Sequence, residues 1–143
     1  MSGSGPWLLA VPPAVLRAVS FRRKGTSMAE KVVFHIDEDR SETLLMALGN
    51  IENFLAALSA ETPAVVVVAN GNAVKLLRSH DAESYQRRIA TLVQAGVRFL
   101  VCHNALKKLG IRPEELLTEC AVIPAGIVEV VRLQGMGYAY VKP

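Results

Sequence analysis

Residues 64–69, which read AVVVVA, constrain the fold more than any other part of this chain. A strand with one face in water alternates apolar and polar residues, whereas this run has no polar residue. Strands that are apolar at every position are typical of parallel sheets whose two faces are covered by helices. The run therefore predicts an interior strand of a parallel sheet.

The remaining chain alternates strand-like and helix-like segments around this run. Apolar, β-rich segments predict strands at 32–36, 97–101, 121–123 and 138–141, with the third of the five strands central and the last at an edge. Helical patterns cover 44–58, 73–78, 82–94, 104–109, 113–118 and 127–134. This alternation predicts a parallel sheet with helices on both faces.

The helix at 44–58 has the clearest pattern, because its apolar residues recur at steps of four and three and so share one face. Asp39, with Glu42 three residues later, and Ser41 are alternative N-caps for it. Gly96 and Gly110 are expected just beyond the ends of two later helices. The apolar residues of the first helix are Leu44, Leu48, Ile51, Leu55 and Leu58.

The excess of basic residues lies at the start of the chain. The 143 residues include 16 Lys and Arg against 13 Asp and Glu, a net charge of +3. Arg17, Arg22, Arg23 and Lys24 fall within the first 27 residues, which contain no acid, so the rest of the chain is nearly neutral. A domain without a basic surface excess has no electrostatic footprint for nucleic acid, and we expect no nucleic-acid partner.

Residues 1–27 are expected to form a basic extension, followed by one folded domain at 28–143. Met28 directly precedes the first strand, which favours an upstream start or an unstructured tail; a weak anchor on a membrane surface is the alternative. The basic residues follow the apolar run, which is the reverse of the order in an export signal. Pro12 and Pro13 interrupt the apolar run, which is also too short to span a bilayer. We expect no membrane partner.

The chain has two cysteines, Cys102 and Cys120, which are too few for a disulfide framework and do not form a CxxC pair. We expect two free thiols in a reducing compartment, and hence a cytoplasmic protein. Cys120 precedes a strand and should lie at the amino edge of the sheet, where a structural role is expected.

Four loops are expected to meet at the opposite edge, because the carboxyl ends of parallel strands lie together and bind ligands there. These loops cover 35–39, 70–72, 102–104 and 124–126. We predict that any binding site is assembled from them. Its candidate binding residues are His35, Asp37, Asn70, Gly71, His103, Asn104, Pro124 and Gly126.

Cys102 is the candidate catalytic residue, because it lies between an apolar strand and a short helix that begins at once. The free N–H groups of a helix start, including that of Asn104, favour a thiolate, which is the reactive form of cysteine. The alternative is that Cys102 is a small buried apolar residue at a strand end.

His35 has two interpretations as well. It is either a hydrogen-bonded strand-end histidine or a group that tunes Cys102 or relays a proton to it. Asp37 lies in an acidic loop, which is typical of a solvated surface. The sequence has no metal-ligand spacing, no glycine-rich phosphate loop and no GxSxG motif, so we predict neither a metal nor a cofactor.

Three segments resemble the DsrE/DsrF-like family of small sulfur-handling proteins. They are VFHIDED at 33–39, GVRFLVCHNAL at 96–106 and VIPAGIV at 122–128 with the end of the chain, and the similarity covers about residues 31–143. The resemblance implies a three-layer α/β/α sandwich with a five-stranded, mainly parallel sheet, as in flavodoxin-like layering. It also implies a homotrimer or hexamer.

The resemblance extends to function through Cys102. In the sulfur-relay members a cysteine accepts sulfur as a persulfide and hands it to a partner cysteine. Cys102 matches the cysteine of the C-x-N-x-L motif carried by the stand-alone members. What this implies is a sulfur carrier or sulfurtransferase with Cys102 as nucleophile and a sulfur donor or acceptor protein as partner.

A second hypothesis from a different class is a non-catalytic oligomeric module that binds a small ligand or a partner through the same loops. Cys102 would then be incidental packing. Met136, Tyr138 and Tyr140 near the end of the chain would contribute to an assembly surface or to the core.

Overall fold

The structure is a computed structural model that describes residues 30–143. Its centre is one five-stranded sheet, in which all neighbouring strands are parallel. The prediction of a five-stranded parallel sheet is therefore confirmed. The interpretations of residues 1–27 lie outside the described residues. The strands are β1 (Lys31–Ile36), β2 (Ala64–Ala69), β3 (Arg98–Cys102), β4 (Cys120–Ile123) and β5 (Ala139–Val141).

The strand order is β4-β3-β2-β1-β5, so β2 is the middle strand. Residues 65–69 of β2 are all buried, which confirms the interior strand predicted from AVVVVA. In register, His35 of β1 lies beside Val68 of β2, and Val101 of β3 lies beside Ala69. β3 is interior but not central as predicted, because the chain continues past it to the edge strand β4.

Helices cover both faces of the sheet. Two of the connections are 3₁₀ helices, at Gly71–Leu77 and Pro113–Glu115. The other helical connections are α-helices, and all of them lie at or near the segments where the sequence predicts helices. They are α1 (Ser41–Ala57), α2 (Gln86–Gln94), α3 (His103–Leu109) and α4 (Gly126–Gly135).

The sheet separates two apolar cores of unequal size. The larger core packs alternate residues of β1, β2 and β3, such as Phe34, Val67 and Phe99, against α1, α2 and α3. On the other face α4 packs against the same three strands. This smaller core contains Val33, Val66, Val68, Leu100, Val130 and Leu133. Burial on both faces explains why the interior strands lack polar residues.

The start of α1 differs from the sequence prediction. Leu44, Leu48 and Ile51 are fully buried, as the spacing predicts. The N-cap is Arg40, however, and no side chain caps the helix, so Asp39 and Ser41 are both wrong as caps. Backbone geometry explains this, because the chain turns through a hydrogen bond from the Arg40 amide to the Glu38 carbonyl and Ser41 is already helical.

Two predicted helices are shorter in the structure. α2 begins at Gln86 rather than 82, because residues 82–85 form a turn in which Tyr85 is buried and donates its hydroxyl hydrogen to the Leu76 carbonyl. The 3₁₀ helix that begins at Pro113 ends at Glu115, since the Leu117 amide donates to the Leu77 carbonyl at 2.9 Å instead. Tertiary hydrogen bonds override local helical preference at both places.

The predicted helix ends are confirmed. Gly96 and Gly110 follow α2 and α3 with φ values of 97° and 66°, a left-handed conformation that glycine adopts without strain. Within residues 30–143, no helix combines the length and the apolar character needed to cross a bilayer.

Candidate functional site

The candidate site lies where β1, β2 and β3 end. Because the three strands are parallel and adjacent, the residues that end them or follow them come together at one edge. His35 is near the end of β1, Asn70 directly follows β2, and Cys102 ends β3. The fourth member is Gly126, the first residue of α4.

Gly126 brings Asn70 and Cys102 together. A Cβ atom built on Gly126 would lie 2.9 Å from the Asn70 Cβ and 3.2 Å from the Cys102 Cβ. Both side chains therefore border the same backbone position of α4, which has no room for a methyl group. A glycine is required here because the helix start must touch the sheet edge directly.

Cys102 is a free thiol whose residue is 6% exposed. It is the N-cap of α3, and its side chain makes no capping hydrogen bond there. Its side chain packs with the larger core, while its Cβ borders Gly126 at the start of α4. Cys102 thus lies at the sheet edge between the larger core and the start of α4.

His35 is the buried polar residue of the described core, with 8% of its surface exposed. Its Nε2 is 2.9 Å from Asn70 Oδ1, and its Nδ1 is 2.7 Å from the Tyr140 hydroxyl oxygen. Both ring nitrogens therefore have partners, which offsets the cost of burying the imidazole. With Asn70 Oδ1 as acceptor, Nε2 carries the hydrogen and the Tyr140 hydroxyl donates to Nδ1.

The Tyr140–His35–Asn70 network spans the site from the edge strand to the middle of the sheet. Tyr140 belongs to β5, His35 to β1, and Asn70 to the loop after β2. The tyrosine and histidine rings are 5.6 Å apart between centroids, with an angle of 59° between planes. The network fixes the Asn70 side chain by its oxygen and leaves its Nδ2 group as a donor.

Two helix starts surround the thiol, and they differ in their free amides. The Asn104 amide of α3 already donates to the Pro124 carbonyl at 3.3 Å. In α4 the N-cap is Ala125, which has no side-chain oxygen to accept from the first-turn amides. The Asn104 amide named from sequence thus has a backbone partner, whereas the start of α4 has no side-chain cap.

The other predicted binding residues support the loops around the site. Gly71 has φ +53°, and its Cβ position lies 2.9 Å from the Asp37 carbonyl oxygen, so the loops after β1 and β2 are in close contact. The Asp37 carboxylate pairs with Lys142, whose ammonium, by its hydrogen bond, holds the pKa of that carboxyl below its usual range. The Lys142–Asp37 pair thus holds the segment after β5 against the loop after β1.

The remaining members lie at the rim. His103 is half-buried at the first position of α3, directly after Cys102, and Asn104 and Pro124 are exposed and joined by their backbones. Among residues 30–143, no three His, Cys, Asp or Glu side chains form a group that could bind a metal ion.

Comparison with protein families gives a match over the whole described domain. The DsrE/DsrF-like family model matches residues 31–143, which include every member of the site. The chain belongs to the DsrE/DsrF-like family. The family resemblance of the three sequence segments is therefore confirmed.

Solved structures of related proteins agree with this DsrE-like fold. A protein of unknown function from Methanobacterium thermoautotrophicum is 36% identical, with a TM-score of 0.73, and the match covers 80% of this chain and 99% of that one. A conserved protein of unknown function from Bacteroides thetaiotaomicron is 16% identical, with a TM-score of 0.65, over 82% and 100% of the two chains, and shows the fold alone. No curated protein matches significantly.

The second cysteine of the DsrE-like domain lies apart from the site. Cys120 begins β4 and pairs with Phe99, three positions before Cys102 on the neighbouring strand. Burial, with the Glu119 carboxylate nearby, raises the pKa of the Cys120 thiol to about 12. Cys120 is therefore protonated at neutral pH, and it lies at the amino edge of the sheet.

Sequence reasoning missed Tyr140 as a member of this site. The alternation at 138–141 predicts an edge strand, but the position of that strand beside β1 decides which residue Tyr140 contacts. In the structure Val33 lies beside Tyr140 in register, and the tyrosine ring reaches His35 two residues on along the same face. A pattern within one strand carries no information about its neighbour in the sheet.

Proposed function

We propose that this DsrE-like domain carries sulfane sulfur on Cys102 as a persulfide, and so acts as a sulfur carrier or sulfurtransferase-type protein. The observation that carries the proposal is the packing of Cys102 and Asn70 around the first residue of α4. An amide side chain and the uncapped start of a ten-residue helix are both sources of N–H donors. Such donors favour an anionic sulfur over a neutral one.

The proposed reaction is a thiol–persulfide exchange with no net oxidation. The Cys102 thiolate attacks the outer sulfur of a persulfide donor, RSSH, and forms a new S–S bond. The S–S bond of the donor breaks, and the leaving sulfur takes the electron pair and the proton to give RSH. Cys102 is left as the persulfide anion, Cys–S–S⁻. Once this is protonated, an acceptor thiolate, R′S⁻, attacks its outer sulfur to give R′SSH, and the S–S bond breaks to return the Cys102 thiolate.

Some of the surrounding residues would stabilise that anion, and others would form the surface where the donor binds. Asn70 and Gly126 border the Cβ of Cys102, while the Asn70 oxygen cannot move without loss of its hydrogen bond from His35. Asp37 and Gly71 join the neighbouring loops, and His103, Asn104 and Pro124 form the rim where a donor or acceptor would approach. A reducing compartment keeps a free thiol such as Cys102 available for this exchange, which fits a cytoplasmic location.

A non-catalytic binding module remains the second candidate, and one observation favours it. Cys102 is only 6% exposed, as an inert packing cysteine would be. Under this hypothesis the loops bind a small ligand or a partner and the thiol has no chemical part. Slow alkylation of Cys102 in the folded protein, at the rate of a buried thiol, would favour this second function.

We also propose that the domain forms a homo-oligomer through the outer face of α4. Ile127, Val128 and Val131 on this helix are 59%, 62% and 63% exposed, and they are adjacent on one helical face. Large apolar side chains grouped in this way are typical of protein interfaces. The patch begins one residue after Gly126, so a second subunit bound there would lie beside the sulfur site.

Mass spectrometry after incubation with a persulfide donor tests the proposed function. The full-length protein is treated with the donor, freed of excess reagent, alkylated and digested. One added sulfur on the Cys102 peptide, absent from Cys102→Ser and retained in Cys120→Ser, supports the proposal. An unmodified parent chain, or modification that persists in Cys102→Ser, contradicts it.

A further inference from the structure

The side-chain amide of Asn70 uses its oxygen in a hydrogen bond, whereas its NH₂ group makes none. Its Oδ1 accepts from His35 Nε2 at 2.9 Å. Among the described residues, Nδ2 makes no hydrogen bond, and it is not a buried atom left without a partner, so it is open to solvent. A primary amide carries two hydrogens on that nitrogen, so a donor group stands beside Cys102 without a protein partner.

The position of Cys102 suggests what that donor is for. The Cβ atoms of Asn70 and Cys102 both border Gly126, so the two side chains start from neighbouring points at the sheet edge. A persulfide adds one sulfur about 2 Å beyond Sγ. That outer sulfur carries the negative charge, and the added length extends it from the thiol toward neighbouring donors.

We infer that the Asn70 Nδ2 group binds the outer sulfur of the Cys102 persulfide, and that His35 and Tyr140 are positioning residues that fix the Asn70 amide in the donating orientation. The inference rests on the proposed function and assigns a binding role within it. Asn70 is the residue that touches the transferred atom, while His35 and Tyr140 act only through Asn70.

The orientation of the amide is the step that the network controls. A free asparagine side chain can turn its oxygen or its nitrogen toward Cys102, and the oxygen would repel an anionic sulfur. The hydrogen on His35 Nε2 prevents the amide from turning round, because this donor needs the Asn70 oxygen, and not its NH₂ group, as acceptor. With the hydrogen on Nε2, Nδ1 is an acceptor, and the Tyr140 hydroxyl donates to it at 2.7 Å. The three side chains thus form one consistent set of hydrogen bonds in which the Asn70 oxygen faces His35.

Burial of the imidazole supports a positioning role over incidental contact. His35 is 8% exposed and lies in a strand whose other residues from 32 to 36 are apolar. A valine or isoleucine at this position would suit the core equally well. The histidine instead meets two partners from two different elements, β5 and the loop after β2.

The test is the lifetime of the Cys102 persulfide in the full-length protein after the donor is removed, followed by mass spectrometry over time. Asn70→Asp replaces the donor by a carboxylate of the same shape and should shorten the half-life about tenfold, as loss of a hydrogen bond to a charged group does. Asn72→Asp, which adds the same charge at an exposed position of the same turn, should change it little.

The positioning residues are tested by conservative rescue. His35→Leu should shorten the half-life, whereas His35→Gln, whose side-chain amide can still donate to Asn70 Oδ1, should restore most of it. Tyr140→Phe removes only a hydroxyl from a ring that is 41% exposed, so it should fold and give a loss of a few-fold.

The outcomes separate this inference from the proposed function. If the parent chain takes up no sulfur, the proposed function fails and this inference fails with it. If the parent chain takes up sulfur and Asn70→Asp, His35→Leu and Tyr140→Phe hold it as long as the parent does, the inference alone is overturned. Equal effects of Asn70→Asp and Asn72→Asp would also overturn it, because charge rather than the amide donor would then be the cause.

Discussion

At the scale of single residues, the site depends on a contact that leaves no space. Gly126 lies against the Cβ atoms of Asn70 and Cys102 because it has no side chain of its own. The same contact sets the separation of the amide and the sulfur. A change at this position therefore acts on stability and on the chemistry together.

Gly126→Ala should destabilise the protein. The added Cβ would lie 2.9 Å from the Asn70 Cβ, so the start of α4 or the sheet edge must shift, at a cost of about 1–3 kcal/mol in the free energy of unfolding. Urea denaturation measures this cost. Gly49→Ala is the matched control: its Cβ would meet only the Arg88 guanidinium at 4.0 Å, and helix propensity should make it stabilising by about 0.5–1 kcal/mol. An unchanged Gly126→Ala would contradict the close contact.

The Asp37–Lys142 pair predicts a dependence of stability on acid pH. The Lys142 hydrogen bond lowers the pKa of Asp37 in the folded state, so the pair stabilises the protein above the unfolded value of about 3.9 and is lost as pH falls through the folded pKa. Both side chains are about two-fifths exposed, and the effect should be at most about 1 kcal/mol.

The measurement is the free energy of unfolding between pH 7 and pH 2. Lys142→Met should lose stability at pH 7 and show a shallower fall below pH 4 than the parent chain. Lys108→Met, at an exposed position of α3, serves as the control. A parent-like acid slope in Lys142→Met would show that the pair contributes nothing.

At the scale of elements, the strands could be predicted well and the segments between them less well. AVVVVA at 64–69 predicts β2 to the residue, because burial on both faces leaves a pattern in the sequence. The turn at 82–85 has helical composition, yet it is held by the buried Tyr85 hydroxyl and the Leu76 carbonyl. Such a bond depends on where two elements lie in space, and no local pattern records it.

The same limit applies to the site. Parallel strands place His35, Asn70, Cys102 and Gly126 at one edge, so the sequence predicts that they are neighbours. The hydrogen bonds of His35 to Asn70 and Tyr140 depend on the position of β5 beside β1. The sequence contains the residues of the network but not the sheet order that joins them.

The stability of the turn before α2 should depend on the Tyr85 hydroxyl. Tyr85→Phe leaves the Leu76 carbonyl without its donor, and we expect a loss of about 1–3 kcal/mol in the free energy of unfolding. Burial raises the pKa of Tyr85 to about 12, so the stability it contributes is full below pH 10 and lost as pH rises from 10 towards 12.

Denaturant unfolding at pH 7 and at pH 11 tests both statements. Tyr85→Phe should be less stable than the parent at pH 7 and should lose less on going to pH 11. Tyr138→Phe, at a half-buried position on the opposite face, should behave like the parent at both pH values. An alkaline loss as steep in Tyr85→Phe as in the parent would rule out Tyr85 as its source.

At the scale of the whole molecule, the two faces of the sheet are covered unequally. Three α-helices and the 3₁₀ segments lie over the larger core, while α4 alone forms the other described layer. Its outer face presents Ile127, Val128 and Val131 to solvent. A second subunit would cover these side chains and enclose the rim of the candidate site.

Val131→Glu should therefore reduce the oligomer, because it buries a charge in the proposed interface. Analytical ultracentrifugation of the full-length protein should show an assembly for the parent chain and a shift to smaller species for the variant. Met46→Glu, on an equally exposed residue of α1, should assemble like the parent. A monomeric parent chain, or a Val131→Glu variant that assembles fully, would contradict this interface.

The most direct measurement for the account as a whole uses Cys120→Ala, in which Cys102 is the sole thiol. After incubation with a persulfide donor and removal of the excess, intact mass spectrometry counts the sulfur atoms held, and addition of an acceptor thiol shows whether they leave. Cys120→Ala should gain one sulfur per chain and return it to the acceptor. A chain that stays at its original mass while the denatured protein is fully alkylated at Cys102 would contradict the central claim.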